Sequence, residues 1–302
     1  MPHPKRIVVV GSSNTDMVIK TESFPKPGET LLGGEFFLFP GGKGANQAVA
    51  AARLQGNVTF VAKVGNDLFG EKAREQFAKE GIATDYIHVD SERPSGVALI
   101  TVDGKGENTI VVAQGSNGTL SPEDVEHASH LFDGQSIVLM QLEIPLQTVV
   151  HAARLARSQG ADVILNPAPA RPLPDELLSQ VSLITPNRTE AETLTGTKVT
   201  DTDSATRAAQ WFRDKGIRTV IITLGKDGAF VFDDAGGRLI ESTKVTAIDS
   251  TAAGDVFNGA LAVALSEGQS INDAVSLANR AAALSVTRMG AQTSAPYRRE
   301  LT

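Results

Sequence analysis

Short runs of apolar residues recur along this chain and constrain its fold more than any other feature. They are Ile7–Val10, Val58–Val64, Ile137–Met140, Val163–Leu165, Leu183–Thr185 and Thr219–Thr223. Each is rich in Val and Ile and bounded by polar or glycine-containing segments, as strands buried on both faces are. Between them the spacing turns helical. Phe69, Ala73 and Phe77 share one helix face, as do Ala205, Ala209 and Phe212, and later Phe257, Leu261 and Leu265. Strands alternating with helices predict an α/β fold, a mainly parallel sheet covered on both faces. The runs fall far short of the ~20 residues that a bilayer-spanning helix requires. With 41% hydrophobic residues, disorder is excluded across most of the chain.

A second pattern stands apart. Gly96–Val102 and Asn108–Ala113 flank Asp103–Glu107, a loop of hairpin-turn residues. Thr15–Thr21 alternates polar and apolar residues, and Leu31–Phe39 is apolar with Phe36, Phe37 and Phe39. These segments predict a small antiparallel sheet, a lid over roughly 15–39 and 96–113, on one domain spanning 1–302. Its apolar face needs a cover, and a second subunit is the expected one, giving a homodimer.

The 28 Lys and Arg against 35 Asp and Glu leave a net charge of −7, which argues against broad nucleic-acid binding. There is no cysteine, so disulfides, thiol catalysis and thiolate metal sites are excluded. The five histidines lack HExxH spacing; His88, His127, His130 and His151 read as scattered surface residues without partners, and Trp211 as a packing residue. The first residues run into a strand with no secretory pattern, so cytoplasmic residence and no membrane association are expected.

Four motifs carry chemistry. Gly41-Gly42-Lys43-Gly44-Ala45-Asn46-Gln47-Ala48 opens an Ala-rich helix, where free N–H groups attract anions or hydroxyl oxygens. It is neither a dinucleotide fingerprint, which would need glycine at Gln47, nor a Walker A loop, which would need Ser or Thr at Gly44. Asp249 to Gly259 is the stronger signal. Lys244–Ile248 reads as a strand leading into it, Ala252, Ala253 and Gly254 expose the first N–H groups of a helix, and Asp255 sits in its first turn. A carboxylate there can take a proton from an attacking hydroxyl, or can simply cap the helix. Asn187-Arg188-Thr189-Glu190 is either a capping box or a place for Glu190 near hydrated Mg²⁺. Thr223-Leu224-Gly225-Lys226-Asp227-Gly228 is either a strand-to-strand turn or a phosphate loop.

Together these motifs resemble the PfkB carbohydrate kinase family, most closely its ribose-phosphorylating members, and the resemblance spans essentially the whole chain. Asn14, Asp16, Glu143, Asn166–Ala170 and Val286–Gln292 also resemble family segments. The resemblance implies a three-layer α/β/α sandwich with a small antiparallel β lid that pairs subunits. It implies ATP-dependent phosphorylation of the ribose 5-hydroxyl, with Asp255 as base and Ala252, Ala253 and Gly254 as anion hole. By the same resemblance, Asn14, Asp16, Gly42, Lys43, Asn46 and Glu143 hold the sugar, together with Asp255. Asn187, Thr223, Gly225, Lys226 and Gly228 contact ATP, with Gly254 and Asn279 near the nucleotide. Glu190 organises the Mg²⁺ hydration shell. Asp249, Thr251, Ser285, Arg288, Gly290 and Ser294 match the positions around a monovalent cation, usually K⁺. Two positions depart from the family pattern: Gln55 stands where Gly or Ser is expected, which should alter only a helix cap, and Val256 replaces a common Thr. The alternatives are another sugar (2-deoxyribose, fructose) or a nucleoside as substrate, and a non-catalytic sugar-binding protein. An NAD-dependent oxidoreductase fits the α/β pattern, but Gly11-Ser12-Ser13-Asn14 follows the first strand in place of its fingerprint.

Overall fold

In the computed structural model, which describes residues 4–301, the alternating pattern produces two sheets of different character. Met1–His3, part of the N-terminal segment read above, and Thr302 lie outside the described residues. The strands are β1 (Arg6–Val10), β2 (Asn14–Lys20), β3 (Glu35–Gly41), β4 (Val58–Gly65), β5 (Ile87–Asp90), β6 (Gly96–Val102), β7 (Asn108–Ala113), β8 (Ser136–Met140), β9 (Asp162–Leu165), β10 (Leu183–Ile184), β11 (Thr219–Thr223), β12 (Ala229–Asp233) and β13 (Gly236–Ile240). The helices are α1 (Lys43–Arg53), α2 (Leu68–Lys79), α3 (Pro122–Glu126), α4 (Leu146–Ser158), α5 (Asp175–Leu178), α6 (Arg188–Thr195), α7 (Thr202–Asp214), α8 (Ala253–Ser266) and α9 (Ile271–Ser285).

Among the described residues, the large sheet runs β13-β12-β11-β10-β9-β8-β1-β4-β5. It is parallel from β11 to β5, and antiparallel where β12 and β13 extend it. Alternation along each strand splits the apolar runs between two cores. Ile7, Val9, Phe60, Leu139 and Ile221 pack with α1, α8 and α9. Val8, Val10, Val61, Met140 and Ile222 face the other way, toward α3, α4 and α7. Burial of each such side chain contributes about 1.5–3 kcal/mol, so both faces must be covered. The result is a three-layer α/β/α sandwich. No helix among the described residues is long and apolar enough to cross a membrane.

The close approach of α8 to α1 positions everything that follows. A Cβ on Gly259 would lie 2.7 Å from the Gln47 carbonyl oxygen and 2.8 Å from Ala50 Cβ. Only glycine at 259 allows the two helices to touch backbone to backbone there.

The second sheet has the order β3-β2-β6-β7. Its register places Met17 beside Leu38 and Leu99, Ile19 beside Phe36, and Leu99 beside Val111. That face is open: Ile19, Phe36, Leu38, Leu99 and Val111 are 43%, 57%, 49%, 55% and 68% exposed. Asp16, one residue out of phase, points to the opposite face.

Two local expectations need correction. Leu31–Gly34 are not strand, because pairing with β2 begins at Glu35 opposite Lys20, and Gly33 and Gly34 take positive φ. Lys244–Ile248 are not strand either. β13 ends at Ile240, so no neighbour offers them a ladder, and the segment is exposed. Gln55, as expected, alters only the cap of α1: it takes the left-handed position at φ 69°, and Gly56 after it donates to the Ala51 carbonyl at 3.0 Å.

Candidate active site

Asp255 is carried on the first turn of α8 and is 5% exposed. A carboxylate that deep must be hydrogen-bonded, and α1 supplies the donors. Asn46 Nδ2 lies 2.9 Å from Asp255 Oδ2, and Gln47 Nε2 lies 2.9 Å from Oδ1. Beside it opens a cavity of about 170 Å³ whose walls include Lys43, Asn187, Glu190, Thr223 and Ala252 to Gly254. The cavity lies beyond the carboxyl ends of β9, β10 and β11, where open α/β sheets bind ligands.

The start of α8 leaves backbone N–H groups free, though not the run expected. Ala252 caps it in the left-handed region at φ 58°. Ala253 N–H is taken up by the Ser250 carbonyl, at 3.3 Å. The N–H groups of Gly254 and Asp255 meet no acceptor among the described residues. The free pair is therefore one residue further along than the run Ala252 to Gly254.

Of the expected sugar-binding residues, Lys43 and Asp255 line this cavity, whereas Asn14, Asp16, Gly42, Asn46 and Glu143 lie outside its wall. Glu143 accepts the Ser12 hydroxyl at 2.5 Å and the Lys43 N–H at 2.9 Å, pinning the start of α1, where Gly42 is the cap at φ 87°. Asn14 Oδ1 accepts from Asn117 Nδ2 at 2.7 Å. Burial pushes the Asp16 carboxyl up to about 6, reinforced by the charges of Glu143 and Asp255 and opposed by Lys43. Lys43 is raised mainly by Asp255, against its own burial, with Glu143, Glu190 and Asp16 adding to the effect. One cation thus serves several carboxylates.

Asn187 and Glu190 form the expected capping box and also face the cavity. Asn187 Oδ1 accepts the Glu190 N–H and Glu190 Oε2 the Asn187 N–H, each at 2.8 Å, and both residues line the cavity. Burial raises the Glu190 carboxyl, with the Asn187 N–H and Lys43 opposing. Thr223 lines the cavity, but Gly225, Lys226 and Gly228 form a one-turn link from β11 to the antiparallel β12, and Lys226 is exposed. Asn279 is outside the cavity wall; its Nδ2 donates to the Ile240 carbonyl at 2.9 Å. Asp249 draws together part of the set expected around a cation: it accepts N–H groups from Thr251 at 2.9 Å and Gly290 at 2.8 Å. Burial opposes its ionisation, yet these bonds hold its carboxyl below the usual range. Ser285 and Ser294 hydroxyls are turned to the Ala282 and Ala291 carbonyls, and Arg288 pairs with Glu300 at 2.6 Å.

Comparison with known proteins decides the family. The model of the pfkB family carbohydrate kinases matches residues 4–298. The chain belongs to this family. Among relatives, a ribokinase of Haemophilus influenzae is 49% identical over 296 residues, covering 98% of this chain and 97% of its own. A deoxyribokinase of Salmonella typhi is 38% identical, covering 96% and 95%. The structure of Arabidopsis thaliana ribokinase complexed with ribose and ATP superposes with a TM-score of 0.91 at 32% identity, covering 99% and 98%.

Several residues of the site escaped the sequence reading. Gln47 was noted only as the wrong residue for a dinucleotide fingerprint, and Gln141, Thr185 and Asn258 were given no role. All four are buried, and Asn166 joins the pair Gln47 and Gln141 to the pair Thr185 and Asn258 in one polar chain beside Asp255. Asn117, part of a tripeptide of glycosylation type, is buried and accepts the Ser13 N–H at 2.8 Å. The available signal was a polar residue directly after each apolar run: Gln141 after β8, Asn166 after β9, Thr185 after β10. The histidines also need correction. His151 meets Glu126 at 2.8 Å, His130 meets the Tyr86 hydroxyl at 3.0 Å, and His88 contacts the Asp124 carbonyl at 3.1 Å with His127 against its ring. Trp211 packs edge-on against Phe212, as read.

Proposed function

We propose that this family member transfers the γ-phosphoryl group of ATP to the 5-hydroxyl of D-ribose. The observation that carries the reading is the buried Asp255 carboxylate beside two free N–H groups at the start of α8. With the hydroxyl against Asp255, the O–H proton passes to the carboxylate. The hydroxyl oxygen bonds to the γ-phosphorus, the bond from that phosphorus to the β-γ bridging oxygen breaks, and ADP leaves. Charge on the moving phosphoryl group meets the N–H groups of Gly254 and Asp255 and the positive end of the helix. Phosphoryl transfer asks a protein mainly for such positioning. Asn46 spends its Nδ2 on Asp255, and its Oδ1 has no partner among the described residues, leaving an acceptor for the sugar. Asn14, Asp16, Lys43 and Glu143 supply further polar groups, which penalise a sugar lacking a hydroxyl that they bind.

The residues fit the two ions. Glu190, on the cavity wall with one oxygen unused by its cap, suits a hydrated Mg²⁺. When bound with ATP, this ion neutralises charge on the β- and γ-phosphates. Thr251 and Gly290, tied together by Asp249, have carbonyls with no donor among the described residues, an oxygen set suited to K⁺. The open face of the four-stranded sheet suits a second copy of the chain, with Asp16 on its other face bringing the sheet over the sugar as a lid. Sedimentation of the full chain tests the dimer.

ADP release, measured with Mg²⁺ and K⁺ over ribose, 2-deoxyribose, fructose and adenosine, tests the reading. Turnover that depends on ribose and falls when Na⁺ replaces K⁺ is expected. Preference for 2-deoxyribose, the substrate class named by the Salmonella relative, would keep the mechanism and overturn the substrate.

A further inference from the structure

Beside Asp255 lies a layer of buried amides that the transfer step does not touch. Gln141 Nε2 donates to Gln47 Oε1 at 2.6 Å. The Gln47 amide can face only one way, because acceptors stand on its Nε2 side and this donor on its Oε1 side. Gln47 Nε2 is then aimed at Asp255 Oδ1, 2.9 Å away, and Asn166 Oδ1, 3.0 Å away. Asn166 is itself oriented, donating to the Thr185 carbonyl at 3.2 Å. From Thr185 the chain returns to the anion hole: its hydroxyl donates to Asn258 Oδ1 at 2.6 Å, and Asn258 Nδ2 to the Gly254 carbonyl at 2.8 Å.

We propose that Gln47, its amide oriented by Gln141, is a positioning residue that holds the Asp255 carboxylate in the plane needed to take the hydroxyl proton. The inference rests on the kinase reading above. One donor on one oxygen leaves a carboxylate free to rotate about Cβ–Cγ; donors on both oxygens, from Asn46 and Gln47, fix it. Asn46 also lies in the set expected to meet the sugar. Gln47 has no exposed surface, so it holds Asp255 without touching substrate. Packing alone would be met by Leu or Met at 47 and 141. An amide at each is needed only if the donor must point one way.

The test uses Gln47→Leu, Gln141→Leu and the double variant, with ribose affinity read separately by calorimetry. Gln47→Leu is expected to lower kcat by about 10- to 100-fold, the usual penalty for loosening a catalytic group, while ribose Kd stays within about threefold. Gln141→Leu, which leaves Gln47 in place and serves if Gln47→Leu does not fold, should lower kcat less, again without changing Kd. The double variant should be no slower than Gln47→Leu, because Gln141 acts through Gln47. A Gln47→Leu kcat within twofold of the parent overturns the proposal, as do multiplicative effects of the two substitutions or a loss of ribose affinity that accounts for the lost rate. The parent assay separates the two readings: if the parent uses another sugar, the substrate is corrected and the same ratios are taken with that sugar.

Discussion

Gly254→Ala separates what the glycine does for the fold from what it does for the reaction. An ideal Cβ at Gly254 meets no atom of the chain within 4 Å, and the residue has ordinary helical geometry. Replacing glycine by alanine at such a helical position stabilises a protein by about 0.4–1 kcal/mol through the unfolded state. For a chain of this size that raises Tm by roughly 1–3 °C. Gly254 lines the cavity and a Cβ there enters open space, so on the proposed reaction the methyl group competes for room with a phosphoryl oxygen about 2.9 Å from nitrogen. Losing one such donor costs ~10²- to 10³-fold in kcat, and a displacement of ~1 Å costs ~10²-fold. The variant should therefore melt at or above the parent temperature, bind ribose within about threefold and turn over roughly 100- to 1,000-fold more slowly. A coupled ADP assay and a thermal melt on one preparation read both effects. Turnover within about fivefold of the parent would show that the space over Gly254 is not where the phosphoryl group sits. A lower Tm would show that the glycine is structural.

Three other outcomes follow from named groups. Asp255→Asn keeps the shape but cannot accept the proton, so kcat should fall by at least ~10²-fold, the lower range for general base catalysis, while calorimetry still detects ribose; near-normal turnover would remove Asp255 as base. Gln55→Gly should relieve the left-handed strain at φ 69°, adding roughly 1 kcal/mol to stability in a urea melt; an unchanged midpoint would place that strain elsewhere. Asp16 titrates near 6 in the native state against an ordinary 3.8, so the folded protein binds this proton more tightly than the unfolded chain. The associated stability, roughly 3 kcal/mol, is full below pH ~4 and lost as pH rises through about 6. Ribose, held by the ionised form, should bind more weakly below pH 6 with that midpoint, and Asp16→Asn should flatten the profile. A flat parent profile from pH 5 to 7.5 would exclude Asp16 as a charged sugar ligand.

What the sequence disclosed followed the range of the interactions involved. Alternation in β1 and β4 and the run Ala252 to Asp255 are local patterns, and they disclosed the central sheet and the helix start that carries Asp255. The β3 boundary depended on where β2 stops pairing, which no local pattern shows. Lys244–Ile248 has strand composition but no strand beside it, and composition cannot supply a neighbour. The amide layer was hidden for a further reason. Gln47, Gln141, Asn166 and Thr185 come from four distant segments, and only the parallel register of β8, β9 and β10 brings their polar ends to one level. The histidine contacts likewise join separate segments, His151 on α4 to Glu126 on α3, so side chains that looked scattered along the chain meet in space.

The sugar and phosphoryl sites are not independent, and the reason lies in one helix pair. α1 carries Lys43, Asn46 and Gln47, while α8 carries Gly254 and Asp255. At Gly259 the two backbones come too close for a Cβ, which would meet the Gln47 carbonyl oxygen, Ala50 and Ala51. No side chain separates the helices at that point, so neither can slide there without backbone collision. On the proposed function, Asp255 as base is therefore fixed relative to the loop proposed to present the sugar before any ligand arrives. This division leaves conformational adjustment to the four-stranded sheet, which reaches the site through Asp16 on β2 and the turn into α1 at the end of β3. On that proposal, the chemistry is held by a helix pair in backbone contact, and substrate admission falls to a sheet whose outer face is open.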